Sequence, residues 1–175
     1  GHTREESVSG VRLVLFRSYG NGLFVAVGSQ GTILTSPDGV SWRWRESGTG
    51  ADLFGVTYRN GVFVAVGSGD TILTSRDGVN WVEQKPGTWA DLRSITYGNN
   101  RFVAVGSDGT VLTSPDGVSW TRRHSGTGAD LFGITYSDGL FVVVGSWGTI
   151  LTSPDGVSWR WRDTRRNSKL ILISS

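Results

Sequence analysis

Phe102-Val103-Ala104-Val105-Gly106-Ser107-Asp108-Gly109-Thr110-Val111-Leu112-Thr113-Ser114-Pro115-Asp116-Gly117-Val118-Ser119-Trp120 packs two β-forming runs, two turns and one tryptophan into a single short stretch. Its first six residues recur unchanged from Phe24 and Phe63, and from Phe141 with one Ala-to-Val exchange, always 39 residues apart. Trp42, Trp81, Trp120 and Trp159 keep the same beat. A strict period of this size denotes supersecondary units that are stacked or set in a ring. Units 24–62 and 102–140 agree at 30 of 39 positions. Such similarity leaves little room for one unit to have become an asymmetric active site.

Within a unit, four strands can be read. Leu53 to Tyr58 alternates at period two, and Asn60-Gly61 supplies a turn that tolerates positive φ. Val62 to Val66 is β-branched and aromatic, Thr71 to Thr74 is short, and Trp81 begins a more polar fourth strand. The first turn recurs as Asn21-Gly22, Asn99-Asn100 and Asp138-Gly139. No segment shows a helical period. Phe63-Val64-Ala65-Val66 is apolar on both faces, so it must be covered on both sides, which an isolated meander cannot do. Meanders stacked face to face and bent into a ring solve this. The fold expected is all-β: a β-propeller of four 39-residue, four-stranded antiparallel blades, each with its apolar first strand innermost. The polar fourth strand, with Arg43, Arg45, Glu83, Arg122 and Arg123, would be the protected outer edge.

A second signature lies between the third and fourth strands. Ser36, Asp38, Gly39 and Trp42 form a Ser-x-Asp-Gly-x-x-Trp box. It returns as Ser75, Asp77, Gly78 and Trp81, as Ser114, Asp116, Gly117 and Trp120, and as Ser153, Asp155, Gly156 and Trp159. The Ser and Asp side chains can accept turn N–H bonds, glycine takes the positive-φ position, and the indole packs across the corner. The tryptophans are expected to be largely buried. The box resembles the Asp-box, or bacterial neuraminidase repeat, of sialidases and related propellers, with one residue fewer between Asp and Trp. The longer Val-Gly-Ser-x-Gly-Thr-Ile-Leu-Thr-Ser-x-Asp-Gly-x-x-Trp pattern looks like the repeats of photosystem II assembly-factor propellers. The resemblance implies a structural, peripheral role for the box.

Composition adds bounds. The 175 residues read as one repeat domain, with blades at 11–52, 53–91, 92–130 and 131–162. Residues 1–10 read as a cleavage scar (Gly1-His2) plus the remnant of a preceding blade, and 163–175 as a surplus inner strand. Leu170, Ile171, Leu172 and Ile173 of that strand are candidate oligomer contacts, because an apolar strand without a hairpin partner needs one. Two copies could thereby complete an eight-bladed ring. A formal charge of +2 creates no field demanding a nucleic-acid partner, and no apolar run is long enough to span a bilayer. Cysteine is absent, so no disulfide staples the fold.

Catalysis is not expected. His124 is the one histidine besides His2, too few for a metal site or a triad. Tyr19, Tyr58, Tyr97 and Tyr136 share one repeat position and read as packing residues. One aspartate per separated hairpin does not make a calcium site, which needs six or more oxygens, and no cofactor is implied. Arg160, Arg162, Arg165 and Arg166 read as a solvated edge. The residues that break the repeat say more. Trp89 stands where another unit has Gly50, Trp147 where others have Gln30, Gly69 or Asp108, and Trp44 and Trp161 lie two residues beyond box tryptophans. Exposed aromatics can bind sugars or proteins. The reading is a non-catalytic interaction scaffold whose partners are itself, a protein or a glycan. The alternatives are a multivalent lectin and an engineered or excised repeat fragment with no evolved ligand.

Overall fold

A computed structural model describes residues 16–162. Each repeat forms one four-stranded antiparallel meander. Sheet 1 holds β1 (Phe16–Gly20), β2 (Leu23–Val27), β3 (Ile33–Ser36) and β4 (Arg43–Arg45). Sheet 2 holds β5 (Leu53–Arg59), β6 (Val62–Gly67), β7 (Ile72–Ser75) and β8 (Val82–Gln84). Sheet 3 holds β9 (Leu92–Gly98), β10 (Arg101–Gly106), β11 (Val111–Ser114) and β12 (Thr121–Arg123). Sheet 4 holds β13 (Leu131–Ser137), β14 (Leu140–Gly145), β15 (Ile150–Ser153) and β16 (Arg160–Trp161).

The turns follow from local chemistry. Asn60 and Gly61 adopt φ of 51° and 76°, the two left-handed residues a type I′ hairpin needs, and Tyr58 pairs with Phe63 across it. Asn and Asp take that conformation at less cost than other side chains, which is why they stand first in all four hairpins.

The order along each sheet is sequential, and the sheets stack through their broad faces. β5 packs on both β1 and β9, and β9 on β13, so the first strands lie innermost and the short fourth strands form the outer edge. Val25, Val27 and Ile33 of sheet 1 meet Phe63, Ala65 and Leu73 of sheet 2. The opposite face of sheet 2 offers Val64, Val66 and Ile72 to Phe102, Ala104 and Leu112. Val103, Val105 and Val111 then meet Phe141, Val143 and Leu151. β6 is accordingly buried from end to end, as its two apolar faces require. Burying each of Phe63, Phe102 and Phe141, none of which touches solvent, contributes on the order of 2–3 kcal/mol. Tyr136 stacks on Phe141 with ring centroids 4.5 Å apart, and the other three Tyr–Phe pairs are similar.

One expectation needs amendment. The box tryptophans are less buried than anticipated: Trp81, Trp120 and Trp159 are half-buried and Trp42 is exposed. Trp81, Trp120 and Trp159 cover the outside of a seam rather than filling it. Among the described residues, no packing like that of β9 on β13 joins β13 back to β1, so the four sheets form an arc. Leu170, Ile171, Leu172 and Ile173 lie outside the described residues.

Candidate functional site

The box turns and the loops on the other side of each sheet have different characters. In the third box, the Gly117 N–H donates to Ser114 Oγ at 2.8 Å, and the Val118 and Ser119 N–H groups donate to Asp116 Oδ1 at 2.8 and 2.9 Å. Ser114 Oγ–H donates to the same carboxylate, and the Trp120 indole N–H closes the turn on the Gly117 carbonyl at 2.8 Å. The first, second and fourth boxes repeat this pattern. Backbone donors prefer the ionised carboxylate, so Asp38, Asp77, Asp116 and Asp155 all titrate below the ordinary value. The N–H of Ser41, Asn80, Ser119 and Ser158, respectively, is the largest cause. Each carboxylate is thus occupied by its own turn. Among the described residues, no three His, Asp or Glu side chains converge as metal ligands would.

The opposite rim is built from the turn after each second strand and the loop after each fourth strand. Asp52, Asp91 and Asp130 tie these together, a role the sequence reading missed although they recur at the 39-residue period. Their Oδ1 atoms accept from the N–H of Gln30, Gly69 and Asp108 at 2.9, 2.9 and 3.0 Å. Their own N–H groups donate to Ser68, Ser107 and Ser146 Oγ of the next sheet at 3.0, 3.0 and 3.1 Å. Each aspartate therefore bridges two sheets, and the rim is one continuous hydrogen-bonded surface.

Trp89 and Trp147 both stand on this rim. Each is 89% exposed, and each has a left-handed backbone, φ 61° and 56°. That conformation costs an ordinary residue roughly 1–2 kcal/mol. The loop carrying Trp89 is held by an exchange found in sheet 2 alone. Where sheets 1 and 3 place Gly31 and Gly109, sheet 2 has the buried Asp70, and where they place Ser47 and Ser125 it has Pro86. The Asp70 carboxylate accepts the Gly87 and Thr88 N–H groups at 2.6 and 2.8 Å, and also the Thr88 hydroxyl. In sheets 1 and 3 the serine hydroxyl accepts the Thr49 or Thr127 N–H instead. A shallow depression lined by Asp108, Arg122, His124 and Thr127 lies farther along the rim. Trp44 and Trp161 are exposed too, but they stand on the outer edge strands opposite Leu34 and Leu151 and do not join the rim.

No protein-family model matches the chain, and no curated protein does. Solved structures do. YCF48 from Cyanidioschyzon merolae superposes with a TM-score of 0.68 at 19% identity, over 87% of this chain and 56% of that one. The same comparison with YCF48 bound to D1 peptide gives 0.69 at 19% identity, over 86% and 55%. Virginiamycin B lyase from Staphylococcus aureus gives 0.70 at 17% identity, over 85% and 54%. The fold is a β-propeller. The computationally designed Ika4 protein, at 15% identity and a TM-score of 0.66, is matched over 84% of this chain and 94% of its own. The propeller sheets described here thus span about half the length of YCF48 and of the lyase. At such identities the likeness is one of fold, and the lyase brings no chemistry with it.

Proposed function

We propose that this chain is a non-catalytic propeller that works by binding, and that its contact surface for a protein or peptide is the rim bearing Trp89 and Trp147. The observation that carries this is the pair of exposed indoles on left-handed backbone, one of them held there by the buried Asp70. Strain maintained by a dedicated clamp points to function more than to stability. Tryptophan offers large contact area at little entropic cost, which makes it a common anchor of interfaces. That a propeller of similar fold, YCF48, has been seen with a D1 peptide supports a peptide as the class of partner. The four boxes are, in this reading, Asp-box-type hairpins with a structural role.

The test is a peptide-library selection on the folded protein, repeated with Trp89→Ala and Trp147→Ala. Loss of the selected peptides with unchanged thermal stability is expected; binding indifferent to both substitutions would overturn the reading. A glycan is the second candidate, because an exposed indole also stacks on the apolar face of a sugar ring. A glycan array separates the two.

A further inference from the structure

We propose that the two end faces of the arc close on those of a second copy of the chain, giving a two-fold ring of eight sheets. The three internal seams show what such faces require. In each, a Val-Val-Ile or Val-Val-Val set from one sheet meets a Phe, an Ala or Val, and a Leu from the next. Sheet 4 presents that first set again as Val142, Val144 and Ile150, and sheet 1 presents the second as Phe24, Ala26 and Leu34. Ala26 is buried, but the other members of both sets are less covered than their counterparts in the seams. Val144 is 47% exposed, whereas Val27, Val66 and Val105 at the same repeat position are 0%. Leu34 is half-buried, whereas Leu73, Leu112 and Leu151 are fully buried.

The close contacts of each seam are half-built at the ends. The box glycine of a following sheet lies under the preceding one. A Cβ on Gly78 would come 2.6 Å from Leu23, one on Gly117 2.9 Å from Val64, and one on Gly156 3.1 Å from Val103. At Gly39 it would meet, among the described residues, only Phe24 of its own sheet, at 3.6 Å. The seat there is open, and Val142 of a second copy is the residue at the matching position. The inner strands repeat the message. Tyr58 lies over Gly20 and Tyr136 over Gly98, while Tyr97 accepts a 2.7 Å bond from Asn60 and faces Arg59 with 5.4 Å from guanidinium to ring. Among the described residues Tyr19 has no such neighbour, and it is 58% exposed. The unused positions are Ser137, small like Gly20 and Gly98, and Asp138, whose carboxylate would accept the Tyr19 hydroxyl.

A partner that covers one face must leave the other wet unless it carries both complements, at opposite ends of an arc of equal curvature. A second copy does. Each copy then lends its sheet-4 face to the other's sheet 1, so two identical seams form and the ring closes with nothing left over. This rests on the fold and not on the binding reading: closure is read by mass, and peptide binding by titration.

Native mass spectrometry at micromolar concentration is expected to give twice the 18.9 kDa of the chain. Val144→Glu and Leu34→Lys should each give the single-chain mass with an unchanged circular dichroism spectrum. Mixing the two should restore the doubled mass, because one seam is then intact and the other pairs Glu with Lys. Ser137→Arg threatens no buried group and recreates the Arg59–Tyr97 stack in each of the two seams, so it should lower the dimer dissociation constant about tenfold. A single-chain mass for the unaltered protein, which would mean that its own termini or sheets cover the faces, overturns the proposal. So does a mass above the double, a doubled mass indifferent to both charge substitutions, or a dissociation constant unmoved by Ser137→Arg.

Discussion

Trp89 and Trp147 are large apolar residues in a backbone region suited to glycine and asparagine, and neither indole finds cover. Relieving the conformation should therefore stabilise the fold. Trp89→Gly and Trp147→Gly are each expected to raise stability by about 1 kcal/mol, seen as a higher melting temperature, while weakening peptide capture. Gly69 already occupies the position of Trp147 in sheet 2 with φ 59°, so the backbone accepts glycine there. Trp120 behaves oppositely. It is half-buried, packs against the seam of sheets 2 and 3, and bonds its own turn. Trp120→Ala should cost about 2 kcal/mol, below the value for a fully enclosed aromatic; chemical denaturation would measure it.

The box hairpin is the element that sets the pH response. Its carboxylates titrate lower in the folded chain than when unfolded, so the folded state prefers them ionised. That contribution is complete above the unfolded value of about 4 and is lost as pH falls through the lower folded values. The melting temperature should hold steady between about pH 7 and 5 and fall below about pH 4. Asp116→Asn should flatten the acid limb and lower the neutral-pH melting temperature, which a pH series of thermal melts would show. The whole turn is legible in the sequence because every bond in it is local: Ser, Asp, Gly and Trp lie within seven residues of one another.

At the scale of the molecule, sheets 2 and 3 are covered on both faces and sheets 1 and 4 on one each. Backbone opening should follow this order. Hydrogen exchange under dilute conditions is expected to be slowest in β6, β7, β10 and β11, and faster in β2, β3, β14 and β15. Raising the concentration should narrow the gap by covering the end faces. A uniform rate across all four sheets at every concentration would contradict the arc of described residues.

Strand number, strand order and the stacking of one repeat on the next were determined by the sequence alone. A 39-residue period with type I′ turns and a strand apolar on both faces admits few other packings. Only the tertiary structure decided which apolar residues are covered. Val66 and Val144 read identically along the chain, and they differ because one sheet has a neighbour and the other ends the arc. The box tryptophans likewise read as core until the seams were seen to leave their outer edge in solvent. Asp70 is visible as a departure from the repeat, yet Gly87 and Thr88, which it holds, lie in a different segment, and the clamp exists only when folding brings turn and loop together. Local bonds are written in neighbouring residues; coverage and long-range clamps depend on what the fold sets beside them.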